Sequence, residues 1–498
     1  MSLVTLGTAA ISPELAIQLA LALPLLGALL IALAGRWPNL REAVTLLTAC
    51  GLFALVVRVL LALLDGVPPR VELVEMLPGL ALVLHTEPLS ILFALLASGL
   101  WIVTSVYSIG YMRGNEENRQ TRFYVCFAIA LCGAMGVAFA ANLLTLFVFY
   151  EVLTLSTWPL VTHKGDQAAE RGGRTYLLVL MSTSIGLLLP AILWTYAVAG
   201  TTDFRAGGIL AGQIGPIAAT LLLLLYLFGV GKAAVMPVHR WLPAAMVAPT
   251  PVSALLHAVA VVKAGVFTLA KVVIYVFGTG FLAQVPAASV AIYLAGFTVV
   301  AASVVALRQQ NLKRLLAYST IAQLGYVVMA TMALTAYAEI GAAVHMVAHA
   351  FGKITLFFCA GAIYVAARKT ELGQLDGIAR RMPWTMTAFA IGALTMIGVP
   401  PTGGFVSKWL IVAGAFQRES WFMLAVLVIS TALNAAYFLP IVFRAFLLPE
   451  RSPPPREHGE APWPMVAALS LTALLSLLLF FFNQPLLALA YALVGGRP

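Results

Sequence analysis

Apolar residues in this chain come in blocks of about twenty, set apart by short polar stretches where Arg, Lys, Pro and Gly collect. A helix rises about 1.5 Å per residue, so crossing a hydrocarbon layer of roughly 30 Å takes about 20 mostly apolar residues. Blocks of that kind predict helices near 11–34, 42–64, 90–112, 123–140, 143–162, 176–199 and 217–237 in the first half. The second half predicts 250–276, 288–307, 313–335, 338–366, 384–411, 420–446 and 463–493. The expected fold is therefore all-α, an integral membrane bundle of about 14 transmembrane helices.

Where the pattern breaks is also informative. Between the second and third blocks, Pro68 to Glu87 contains VELVEMLPGLALVLH, which predicts a short external hairpin turning near Leu77-Pro78-Gly79. The stretch RSPPPREHGEAPW, 451–463, predicts a Pro-rich linker before the last helix. Two helices are interrupted, one by GVGKAAVMP at 229–237 and one by IGVPPTGGFVSK at 397–408. Proline lacks a backbone donor and clashes with the preceding turn, so both helices should break there. Paired broken helices in two halves point to a transport site near the bilayer midplane.

Composition agrees with lipid as the solvent. The 498 residues are 62% hydrophobic and 10% charged, against about 25% charged in a typical soluble domain. The net charge of +10 is explained by basic inner loops, and a nucleic-acid partner is not expected. Placing both termini outside puts nineteen basic residues in inner loops, among them Arg36, Arg41, Arg113, Arg119, Arg122, Lys164, Lys313, Arg368 and Lys369. Only Arg70, Arg205, Arg418 and Arg497 then remain outside, which orients the chain in a cell inner membrane. Cys50, Cys126, Cys132 and Cys359 all lie in apolar blocks without CxxC spacing. No nucleotide-binding, haem, iron–sulfur or nucleophile-elbow pattern is present, so no cofactor or metal is expected. Energy would come from an ion gradient or from partner subunits.

Several ionisable residues interrupt the apolar blocks. An ionised side chain in hydrocarbon costs at least about 2.5–3.5 kcal/mol, so such residues are rare and usually functional. Glu151 is the acid placed deep in a helix, within LLTLFVFYEVLTLSTWPLV. Lys232 and Lys408 adjoin the two breaks, and Lys263 and Lys353 lie in uninterrupted blocks. Glu151 is the natural counter-charge for Lys232, as a switching pair or as a structural one. His345, His349 and Lys353 are spaced i, i+4 and i+8, along one helix face. That face suits proton transfer or packing. Zinc is the weaker reading, because no acid lies between the histidines and the lysine would repel a cation. His257 lies six residues before Lys263, either as a relay or as a hydrogen-bonded core residue. Lys271 is expected to reach the interface from a helix end, and Arg58 to snorkel or face another subunit.

These residues also carry a resemblance. GKAAVMPVHRWLPAAMVAPTPVSALLHAVAVVKAG (231–265), LKRLLAYSTIAQLGYV (312–327) and GVPPTGGFVSKW (398–409) resemble the proton-conducting antiporter-like membrane subunits. These are found in respiratory complex I, membrane-bound hydrogenases and Mrp-type cation/proton antiporters. The resemblance implies two inverted five-helix repeats, 123–276 and 288–446, with helices 7 and 12 broken. Three N-terminal helices (1–122) and a linker with a last helix (447–498) would flank them. It implies a proton relay of Glu151, Lys232, Lys263 and Lys408, joined by His257 and His349. It further implies partner membrane subunits, with protons and Na+ as the transported ions. The D-type subunit of the Mrp antiporters looks nearest, since Lys408 stands where one complex I subunit has glutamate. The stretch YEVLTLSTWPLVTHKG (150–165) also looks like variants of bicarbonate-uptake systems. In a complex I-like assembly the chain would be a translocase without a redox site of its own.

Overall fold

The computed structural model describes residues 11–77, 79–450 and 459–495, the side chains of residues 77, 257 and 259 excepted. The Pro78 corner of the expected hairpin and most of the expected linker lie outside the described residues. The chain opens with α1 (Pro13–Leu33) and α2 (Pro38–Leu64), then β1 (Arg70–Leu77) and β2 (Leu80–His85). Next come α3 (Pro88–Gly114), α4 (Gln120–Phe139), α5 (Leu143–Val161), α6 (Gln167–Ala199) and α7, whose long part is Pro216–Gly229. The second half holds α8 (250–277), α9 (Ala287–Leu307), α10 (Leu312–Thr331) and α11 (Ala336–Ala367). It ends with α12 (Pro383–Ile397 and Gly403–Gln417), α13 (Trp421–Leu447) and α14 (Trp463–Phe481, then Gln484–Leu493). Each expected helix thus has a counterpart, and among the described residues ten helices are long and apolar enough to cross a membrane.

Where boundaries differ from expectation, local chemistry explains it. α6 starts at Gln167 instead of near 176, because Asp166 Oδ1 accepts from Ala169 N at 2.7 Å and caps a polar first turn. A cap, not hydropathy, starts this helix. α14 divides because Pro485 has no backbone donor and its ring clashes with the carbonyl four residues back. α7 stops at Gly229, well short of 237, and continues as short turns through Gly231–Ala233, Val238–Arg240 and Trp241–Ala244. α12 stops at Ile397 because Gly398 turns left-handed, with φ +85°, and Pro400 and Pro401 follow.

β1 and β2 pair antiparallel, with Arg70 opposite His85 and Glu72 opposite Val83. The hairpin docks on the α4–α5 turn, where Thr145 Oγ1 accepts from Val83 N at 2.9 Å and Asn142 Nδ2 donates to Ala81 O. The basic residues gather at the opposite end. There Arg113 Nη2 meets Glu42 Oε2 at 2.5 Å, and Arg122 donates to the His163 carbonyl. Packing ranks the helices by depth: α4 and α11 are buried over 78% of their apolar windows, α2 and α6 over 33%. Exposed Leu47, Ile217, Trp421, Val428 and Trp463 form the outer surface expected to meet lipid. The histidine-bearing helix is therefore central.

Candidate functional site

Two helix ends present their lysines to the interior. Lys408, on the second segment of α12, reaches back to the end of the first and donates to Met396 O at 3.1 Å and Ile397 O at 2.8 Å. Those carbonyls are left without partners where a helix stops, and a cation suits the negative end of the helix dipole. The Lys408 ammonium also lies 4.9 Å from the Tyr326 ring. Lys232 follows the end of the long part of α7 and is fully buried. Its Nζ donates to Tyr150 O at 2.7 Å and Thr154 Oγ1 at 2.6 Å, and lies 3.1 Å from the Tyr150 ring centre.

Lys232 does not meet the carboxylate expected to pair with it. Both Glu151 oxygens are buried and accept no hydrogen bond among the described residues. The helical period supplies the reason. Tyr150 and Thr154, four apart, share the face of α5 turned to Lys232, whereas Glu151 is rotated by about 100°.

Lys263 lies in the first turn of the straight part of α8, Val261–Lys271, after a wide turn at Leu255–Val259. Its Nζ stands 2.5 Å from His349 Nδ1 on α11, and both side chains are fully buried. The His349 and His345 rings stack 6.1 Å apart. From His345, Nδ1 contacts Ser407 Oγ at 2.9 Å and Nε2 contacts Gln323 Oε1 at 3.0 Å. Ser407 is the neighbour of Lys408, and Gln323 Nε2 donates to the same Met396 carbonyl that Lys408 uses. One polar line thus runs from Lys263 through both histidines to Lys408. Lys353 leaves this line, donating instead to Leu316 O at 3.2 Å with the Phe438 ring 5.6 Å away. His257 lies in the wide turn of α8, its side chain outside the described residues.

The comparisons with known proteins fit this geometry. The family model "NADH:quinone oxidoreductase/Mrp antiporter, TM" matches residues 140–434, from the start of α5 into α13. The chain belongs to this family. It is 31% identical over 452 residues to NADH-quinone oxidoreductase subunit N of Desulforudis audaxviator, covering 88% of this chain and 89% of that one. Hydrogenase-4 component B of Escherichia coli is 30% identical over 80% of this chain; the match spans 62% of that protein, under two thirds of its length. Among solved structures, a chain of the Mrp complex from Dietzia superimposes with a TM-score of 0.87 at 21% identity, covering 97% of each chain. That likeness concerns fold alone.

Inside the family-matched region, reading residue types missed the connectors. Gln323, Ser407, Tyr150 and Thr154 all lie in quoted motifs, yet an uncharged residue in an apolar block gives no signal until its neighbours are placed. Outside that region, Glu87 was missed; within it, Lys271 was misplaced. Lys271 is buried, not interfacial. Its Nζ meets Glu87 Oε1 at 2.8 Å and Ala140 O at 2.7 Å beneath the hairpin, over the Phe204 ring. Arg58 Nε donates to Ile11 O at 3.1 Å, at the start of α1.

Proposed function

We propose that this chain is a proton-translocating subunit of a multi-subunit antiporter that exchanges a monovalent cation, Na+, for H+. The contact between Lys263 and His349 carries the reading. Two positive charges 2.5 Å apart would repel by roughly 7 kcal/mol at an effective dielectric of about 20. The pair therefore holds at most one excess proton, which it passes between ammonium and imidazole. His345 extends the path: with Gln323 Oε1 as acceptor, Nε2 carries the hydrogen, and Nδ1 faces the Ser407 hydroxyl, whose one hydrogen it shares with the Gly404 carbonyl. Lys408 is the far terminus, and water spans the gap between the rings. Glu151 and Lys232 act as the switch. When the carboxylate turns toward the ammonium, Lys232 leaves its helix cradle and the field at Lys263 changes. His257 and Lys353 are side stations of the relay.

In this proposal the basic end faces the cytoplasm and both termini face outside. The chain resides in a cell inner membrane as the D-type member of an Mrp-like complex, beside partner membrane subunits. The two repeats occupy 123–276 and 288–446. A second reading, a redox-driven pump, is favoured by the near end-to-end match to an oxidoreductase subunit N. Everted vesicles separate the two. A Na+ pulse that collapses a preformed pH gradient without an electron donor supports the antiporter. Proton uptake that depends on an electron donor and ignores Na+ overturns it.

A further inference from the structure

Away from the proton path, the basic end of the bundle holds a polar cavity of about 700 Å³. Three separate turns wall it: Glu117 and Arg119 between α3 and α4, His163 and Lys164 after α5, and Tyr364 with Arg368 at the end of α11. Three cations thus face one carboxylate. Arg368 lies 5.2 Å from the Tyr364 ring centre and bonds Asn115 Oδ1, while Lys164 Nζ lies 5.9 Å from the same ring. Arg119 and Lys164 are in none of the ion pairs found among the described residues. An adjoining hollow of about 310 Å³ shares Lys164 and Tyr364 and adds Lys313, with Lys369 there paired to Glu450 at 3.2 Å.

His163 is an independent sign of a missing partner. It is 3% exposed, and neither ring nitrogen has a hydrogen-bond partner among the described residues. Glu117 Oε2 stands 3.9 Å from Nε2, beyond hydrogen-bond reach, and the Asn118 backbone lies beside the ring. Leaving a buried polar group unsatisfied costs free energy that a ligand oxygen would recover. The backbone adds weight. Arg119 and Arg368 both adopt the left-handed conformation, with φ 53° and 56°, which glycine or asparagine would adopt with less strain. Two arginines are kept at strained positions, and both line the same cavity.

We infer that this cavity binds a phosphate-class oxyanion, and that its resident is the phosphate of an anionic lipid headgroup. The turns lie at the ends of apolar helices, the level at which headgroups meet a membrane protein. Basic pockets between spanning helices at that level suit such groups. Bound there, the phosphate would hydrogen-bond His163, neutralise Arg119 and Lys164, and tie the end of α11 to the turn after α5. α11 carries His345 and His349, and α5 carries Glu151. The lipid would therefore fix the spacing of the two proton-bearing helices at one end.

The test uses the assembled complex with its native partners, in nanodiscs of phosphatidylcholine with or without phosphatidylglycerol. Native mass spectrometry reads the phospholipid retained after detergent washing. The unmutated complex is expected to keep phosphatidylglycerol over phosphatidylcholine. Arg119→Gln and Lys164→Gln should each weaken retention about fivefold. Arg174→Gln, which removes an exposed cation of α6 outside this cavity, should change nothing. Equal retention in the cavity variants and the control overturns the inference. Displacement by inorganic phosphate with no lipid preference overturns the lipid assignment. If the variants do not assemble, hydrogen exchange of 115–119 and 163–165 in the unmutated complex decides. Protection with phosphatidylglycerol is expected, and identical exchange in both lipids overturns the site.

Discussion

At the level of single residues, the buried lysines are held in three different ways. Lys408 and Lys232 rest on backbone carbonyls and hydroxyls, Lys263 faces an imidazole, and Lys271 faces a carboxylate. Of these four, Lys271 alone has a fixed counter-charge, so it is read as structural. Removing one member of a buried ion pair leaves the other uncompensated and typically costs about 3–5 kcal/mol. Lys271→Met should therefore lower the unfolding temperature sharply, and Lys271→Met with Glu87→Gln should recover much of the loss. Equal melting of the two variants would contradict this. His163 offers a pH test. Burial, with the Arg122 guanidinium adding, pushes its pKa down from 6.5 to about 4. A histidine held neutral in the folded state contributes stability above about pH 6.5, and that stability is lost as pH falls toward about 4. His163→Gln should flatten the melting temperature between neutral and acid pH, measured by thermal unfolding. The charged residues were legible in the sequence because a charge in an apolar block stands out. Their partners were not, since Glu151 next to a helix facing Lys232 looks like a pair until the rotation of α5 is known.

At the level of helices, apolar block length located every span, while caps and prolines set the ends. The two interruptions were legible because proline and glycine act locally. Their consequence was not: only the packed structure places Lys408 on the carbonyls of its own broken helix. Close approach of α8 to the α7 turn is a second such feature. A Cβ at Gly265 would lie 2.4 Å from the Lys232 carbonyl carbon, so only glycine fits there without a shift. Gly265→Ala is expected to displace the Lys232 turn and slow proton transfer by about tenfold or more, since small misplacements of reacting groups are costly. Stopped-flow pH changes in reconstituted vesicles, normalised to protein inserted, would check it. An unchanged rate would mean that the Lys232 position does not limit transport.

At the level of the whole molecule, the hairpin closes one end and the basic turns crowd the other, so the polar line lies between two differently charged faces. The sidedness proposed from that asymmetry predicts that cysteines placed at Glu72 and at Arg171 react from opposite sides of sealed vesicles. Reaction of both from one side would contradict it. Family membership and broken helices were legible from long motifs. The alignment of Lys263, His349, His345 and Lys408 was not, because it joins α8, α11 and α12 across the bundle. The most direct test of that alignment is proton flux in everted vesicles carrying Lys263→Met or His349→Leu, with subunit assembly matched to the unmutated complex. Flux should fall at least about a hundredfold in each variant, the scale of losing a proton-transfer group. Flux at the unmutated rate from a properly assembled Lys263→Met complex would contradict it.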